Sequence, residues 1–139
     1  ENGRGMQLLS ARMQATMAQA AAVPQLAPYA VQLGDALQQV GAATQAAWAT
    51  GNPAEALANA VPYMQAFGHT VLAWTWLRQA VVADGALAQA ATPQDADFYR
   101  GKLQACRWFF HWELPRTAPQ HALLRSLDDS TLAMQDAWF

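Results

Sequence analysis

The sequence predicts an all-α fold: an up-and-down antiparallel bundle of four main helices with a short helical C-terminal tail. Three observations predict it. Alanine supplies roughly a quarter of the residues, glutamine is abundant and β-branched residues are sparse, which favours helix over strand. Two segments, Asn52-Pro53-Ala54-Glu55 and Thr92-Pro93-Gln94-Asp95, carry helix-start signatures. Each places a capping side chain first, proline where its missing N–H costs nothing, and a carboxylate at the positive end of the helix dipole. Apolar residues then recur at steps of three and four, and the joints between such runs are short, which favours antiparallel neighbours. No stretch alternates with the period of a strand, and no repeat has solenoid spacing.

The elements follow in order. Met6, Leu9, Met13 and Met17 give a first helix over about residues 4–21. Val23-Pro24 and Ala27-Pro28 break the chain. Val31, Leu33, Leu37, Val40, Thr44 and Trp48 mark a second helix over about 29–50, closed by Gly51. The third and longest is expected over about 53–90, with Leu57, Val61, Met64, Gly68, Val71 and Leu72 on its core face and a kink at Pro62. Its far half, Val71-Leu72-Ala73-Trp74 and Trp76-Leu77, is apolar nearly all round, so it is central or covered on a second face. The fourth runs over about 93–114 and stops at Pro115, with Phe98, Tyr99, Leu103, Cys106, Phe109, Phe110 and Leu114 inward and Arg100, Gln104, Arg107 and His111 outward. Thr117 is expected to cap a short helix carrying Leu123, Leu124 and Leu127, and Asp128-Asp129-Ser130 a last turn ending at Phe139. Alanine and glycine on the inner faces allow close helix approach.

Composition narrows the function. The 139 residues fit one domain. Hydrophobic residues make up 53% and charged residues 13%, against about 25% charged in an ordinary soluble domain. Part of the surface is therefore expected to be covered. A net charge of -2 gives no electrostatic reason to bind nucleic acid or an acidic membrane. No apolar run is long enough to span a bilayer uninterrupted. The single cysteine excludes an internal disulfide and fits a reducing, cytoplasmic setting. Glu1 opens the chain within an amphipathic segment, and the expected domain, 1–139, is read as a fragment of a longer polypeptide.

No catalytic constellation assembles. His69, His111 and His121 have no metal-ligand spacing, and Cys106 lies on an apolar mid-helix face, where a thiol is inert. Glu55, Asp95 and Asp129 are helix-start acids, and Glu113 has no evident partner. Gly3 and Gly5 follow no strand, so they make no phosphate loop. The six tryptophans are the remaining oddity. Trp74 and Trp76 stand about 200° apart around a helix, so some rings must leave the core. An outer row of Gln65, His69 and Trp76, and another of Arg107 and Trp108, make Trp76, Trp108, Arg107 and His69 the candidate interface residues. The other reading of these rings is amphipathic packing at the bundle rim.

The run Ala56 to His69, then Trp74 and Leu77-Arg78-Gln79-Ala80, resembles the extra C-terminal helical domain of one acyl-CoA dehydrogenase branch. Phe98-Tyr99 through His111, then Leu114-Pro115, resembles that domain's next helix, and Leu132 to Phe139 its chain end. The likeness runs from about Asn2 onward, with Cys106 and Trp108 departing from the more familiar residues. The resemblance implies a parent that is an FAD flavoprotein performing α,β-dehydrogenation of acyl-CoA, with flavin cleft and catalytic base upstream. It implies no cofactor, metal or catalytic residue here. The implied partners are the parent's catalytic domains or a neighbouring subunit of a homo-oligomer. A free-standing bundle that binds a partner helix or an apolar ligand is the alternative.

Overall fold

A computed structural model describes residues 3–139. Glu1 and Asn2, where the expected domain and the resemblance begin, lie outside the described residues. These residues form an all-α fold with four long helices: α1 (Arg4–Ala21), α2 (Ala27–Ala47), α4 (Ala60–Leu87) and α5 (Pro93–Trp108). Short α3 (Pro53–Leu57) and α6 (Thr117–Ser126) complete the set. The contacts fix the directions. Thr44, late in α2, meets Tyr63, early in α4 (2.8 Å between hydroxyls), while Gln25, just before α2, reaches Asp84, late in α4. His69 of α4 faces Phe109, just past α5. α2 therefore runs opposite to α4, and α4 opposite to α5.

Both capping signatures form. Asn52 accepts from the Ala54 N–H at 3.0 Å and Thr92 from the Asp95 N–H at 3.1 Å. The Glu55 carboxylate accepts from Thr50 (2.6 Å) and Asn52 (3.0 Å), which holds its pKa below the ordinary value.

Three boundaries differ from expectation. The third helix is two: the chain is interrupted at Ala58-Asn59, and α4 begins at Ala60. Pro62 thus lies in a first turn, where the missing N–H has no partner to lose, and it kinks nothing. The C-terminal tail closes the interruption, since Thr131 donates to the Ala58 carbonyl (3.0 Å) and Asn59 donates to the Asp128 carbonyl (2.8 Å). By the same logic Pro28 sits inside the start of α2 rather than before it. That helix ends at Ala47, and Gly51 serves the following turn with φ 70°. Beyond α5 the chain does not stop at Pro115. It widens into a π-helical turn, Phe109–Glu113, and tightens into a 3-10 turn, Leu114–Arg116, that leads directly into α6. Thr117 is no cap acceptor there: it is buried and donates to the Leu114 carbonyl at 2.8 Å.

The larger correction concerns α4. Leu57, Val61, Met64 and Leu72, expected in the core, are each half or more exposed. The buried row is Ala66, Thr70, Ala73, Leu77, Ala80 and Ala83. The cause is crowding. This helix touches α1, α2, α5 and α6 together, and axes can converge at 8–10 Å only over small side chains. The other large residues of the core come from the neighbours: Met13, Leu26, Leu33, Val40, Phe109, Phe110, Leu114 and Leu124. Val31, Trp48 and Phe98 also point outward, against expectation. Trp74 and Trp76 both stay half-buried against the core, because α4 is covered on more than one flank. The Trp74 indole donates to Thr16 of α1 at 2.8 Å.

Candidate functional site

The four side chains proposed for an interface divide into two pairs. His69 lies on the flank of α4 turned toward the π turn, and Trp76, two helical turns farther on, shares that side of the helix. The His69 ring nitrogen Nδ1 is 2.9 Å from the Gln65 carbonyl, and Nε2 is 3.7 Å from a Glu113 carboxylate oxygen. Trp76 packs against the core cluster. Arg107 and Trp108 face outward from α5, with Trp108 half exposed and Trp112 more so. Two members of the expected outer row, Gln65 and His69, thus meet the chain that returns through the π turn and α6. Gln120 of α6 donates to Gln65 at 2.9 Å.

Glu113, expected to stand without a partner, has two. Arg116 donates to both its carboxylate oxygens at 3.1 Å, and His69 approaches from α4. Cys106 is fully buried, and burial pushes its thiol up to about 12, so it stays protonated and unreactive at neutral pH. Burial also raises the Tyr29 phenol, followed by the effect of Cys106 and opposed by Arg107. Among the described residues, no group of three or more His, Cys, Asp or Glu could hold a metal ion. Nor, among them, is any helix long and apolar enough to cross a membrane.

Sequence reading missed three features. The first is the outward face of α4, where Val61, Met64, Gly68, Leu72, Thr75, Gln79 and Val82 follow one another at steps of three and four with no charge among them. Leu57 of α3, likewise exposed, precedes this row in the chain. The second is His121, which is buried with neither ring nitrogen hydrogen-bonded. Burial, then Arg125, pushes its pKa down, which keeps the ring neutral. The third is a pair of grooves flanking α5. One, of about 390 Å³, lies against α4 between Val82 and Phe98. The other lies on the side of Tyr29, Arg107 and His111. The α4 row was legible as apolar spacing but was assigned to the wrong side. Nothing in the sequence marks His121 or either groove.

The bundle is packed on alanine along α4 and turns several large apolar side chains outward. The chain belongs to the acetyl-CoA dehydrogenase C-terminal-like family, whose profile matches residues 9–135. It is also distantly similar to the broad-specificity linear acyl-CoA dehydrogenase FadE5 of Mycobacterium tuberculosis. The two are 29% identical over 79 residues, which is 57% of this chain and 13% of that enzyme. The match therefore covers a small part of the relative's length.

Proposed function

We propose that this chain is the non-catalytic C-terminal domain of a longer, cytoplasmic, FAD-dependent acyl-CoA dehydrogenase-like enzyme. In this reading it packs on the catalytic domains or a neighbouring subunit and helps hold a homo-oligomer together. The single observation that carries the packing role is the uncharged outward face at the end of α3 and the start of α4, where Leu57, Val61 and Met64 are each 60% or more exposed. Exposed apolar groups this close together are the usual mark of a contact surface. Trp108 and Arg107 on α5 form the second contact region, since aromatic and arginine side chains anchor interfaces. Trp76 and His69 support the bundle behind it. Flavin, acyl-CoA and the catalytic base belong, on this reading, to domains outside these residues.

The test uses the full-length parent polypeptide, with Met64→Asp and Trp108→Ser made separately. Each variant is expected to weaken subunit or interdomain association by about tenfold, as one lost anchor does. The isolated 139-residue chain should keep its melting temperature, because both positions are exposed. Sedimentation velocity reads the first effect and circular dichroism the second. Unchanged association in both variants would remove the packing role. A parent that neither carries flavin nor bleaches with acyl-CoA would remove the assignment of its activity.

A further inference from the structure

The groove of about 390 Å³ between α4 and α5 has a composition that a packing face does not require. Its apolar lining includes Val82 and Phe98, which are 70% and 59% exposed. Its lining contains two cations from different helices, Arg78 of α4 and Lys102 of α5, and no carboxylate. Neither cation makes an ion pair among the described residues. Both are held over aromatic rings: Arg78 lies 5.0 Å from the Trp74 ring centre and Lys102 lies 5.4 Å from that of Phe98. Such stacking positions a cation without neutralising it. The result is an apolar trough with positive charge supplied from both of its walls.

We propose that this groove binds a free single-chain amphiphile with an anionic head. The alkyl chain lies on Val82 and Phe98, and the head is held between Arg78 and Lys102. Charge complementarity selects the head, because a groove with two unpaired cations and no acid rejects a cationic one. Size selects a small molecule over a helical partner. From Thr75 to Val82 the α4 wall is only about 10 Å long, two helical turns, whereas a groove-bound helix needs anchors spread over more turns. The volume falls in the range of small-molecule sites, about 300–1,000 Å³. A bilayer fits less well. The chain is net negative, and Asp95 and Asp97 stand exposed at the same end of α5.

The test is isothermal titration of the 139-residue chain with decanoate and, separately, with decyltrimethylammonium, both below micelle formation. Decanoate should bind with one-to-one stoichiometry and the cationic analogue should not. Because Arg78 stacks on Trp74, the indole emission should shift as decanoate saturates. Lengthening the chain by two carbons should tighten binding about fourfold, which corresponds to half the free energy of fully burying two methylenes. The double variant Arg78→Gln with Lys102→Gln should weaken decanoate binding by about tenfold or more. Val82→Asp alters an exposed position, so the bundle stays folded, and it should abolish binding. Equal affinity for the two head groups would overturn the proposal. So would binding indifferent to both variants, or sedimentation with anionic vesicles in the absence of decanoate binding. None of these outcomes bears on the packing role at the start of α4.

Discussion

The outward turn of Leu72 and the inward turn of Leu77 allow the burial pattern of α4 to be tested with one chemical change made twice. Leu77 is fully buried in the central cluster, and Leu72 is half exposed on the opposite side. Leu77→Ala removes buried methylenes and leaves a cavity that four converging helices cannot collapse to fill. That class of change costs about 2–5 kcal/mol, and a site with no exposure belongs near the middle, at about 3 kcal/mol. Leu72→Ala removes groups that already meet water on one side and leaves no cavity. Its cost is about 0.5–1 kcal/mol, and the better helix propensity of alanine offsets a few tenths of that. A chain of this size unfolds with an entropy of roughly 0.3 kcal/mol/K, so 1 kcal/mol is about 3–4 °C. Leu77→Ala should therefore lower the melting temperature by about 10 °C, and Leu72→Ala by no more than about 3 °C. Thermal melts followed at 222 nm (the far-ultraviolet helix band), run at two protein concentrations, separate folding from any self-association. Equal losses in the two variants, or a larger loss for Leu72, would show that the Ala73–Leu77 side is not the core.

Two further predictions follow from buried titratable groups. Cys106 should resist a soluble disulfide reagent at pH 8 until denaturant unfolds the chain, with labelling tracking the loss of helix; rapid stoichiometric labelling in native buffer would place the thiol at the surface. His121 gives a pH dependence whose sign is fixed. Its folded pKa lies below the ordinary 6.5, so the unfolded chain binds the proton more readily. Its contribution is complete above pH 6.5 and is lost as pH falls through 6.5 toward the folded value. Melting temperature should drop between pH 7 and pH 5, and His121→Leu should flatten that part of the profile; an unchanged slope would assign the effect to other groups.

Much of the fold was legible because its signals are local. A cap needs only neighbours in the chain, and Asn52 and Thr92 declared theirs plainly. Pro62 and Pro115 were misread because proline has two meanings, start and break, and the choice depends on which carbonyls the rest of the fold satisfies. At Ala58 that partner is Thr131, 73 residues away, which no local pattern carries. The core face of α4 was misread for a related reason. Ranking by side-chain size favours Val61, Met64 and Leu72, but the row that meets four helices at once has to be small. Only the fold decides that this helix, rather than its neighbours, supplies the alanines. The candidate interface suffered the same way: Trp76 and His69 look free on a single helix, but Trp76 is half-buried against the core and His69 meets Phe109 and Glu113 where the chain returns after α5.

The low charge content now has a spatial meaning. Glu55 and Asp95 are held by the residues of their own helix starts, Asp97 pairs with Arg100, and Glu113 pairs with Arg116. Arg78, Lys102 and Arg107 make no ion pair among the described residues, and all three lie on α4 or α5. The surface therefore separates into an uncharged stretch at the start of α4 and a cation-bearing region farther along the same helix and on α5. Salt distinguishes the two. Apolar packing through Val61 and Met64 should hold or strengthen in sulfate, which favours burial. Capture of an anionic head by exposed Arg78 and half-buried Lys102 should weaken as the Debye length shortens from about 10 Å toward 3 Å. If oligomerisation and decanoate binding instead weakened together, one surface would be serving both roles, and the division of α4 into a packing end and a ligand end would be wrong.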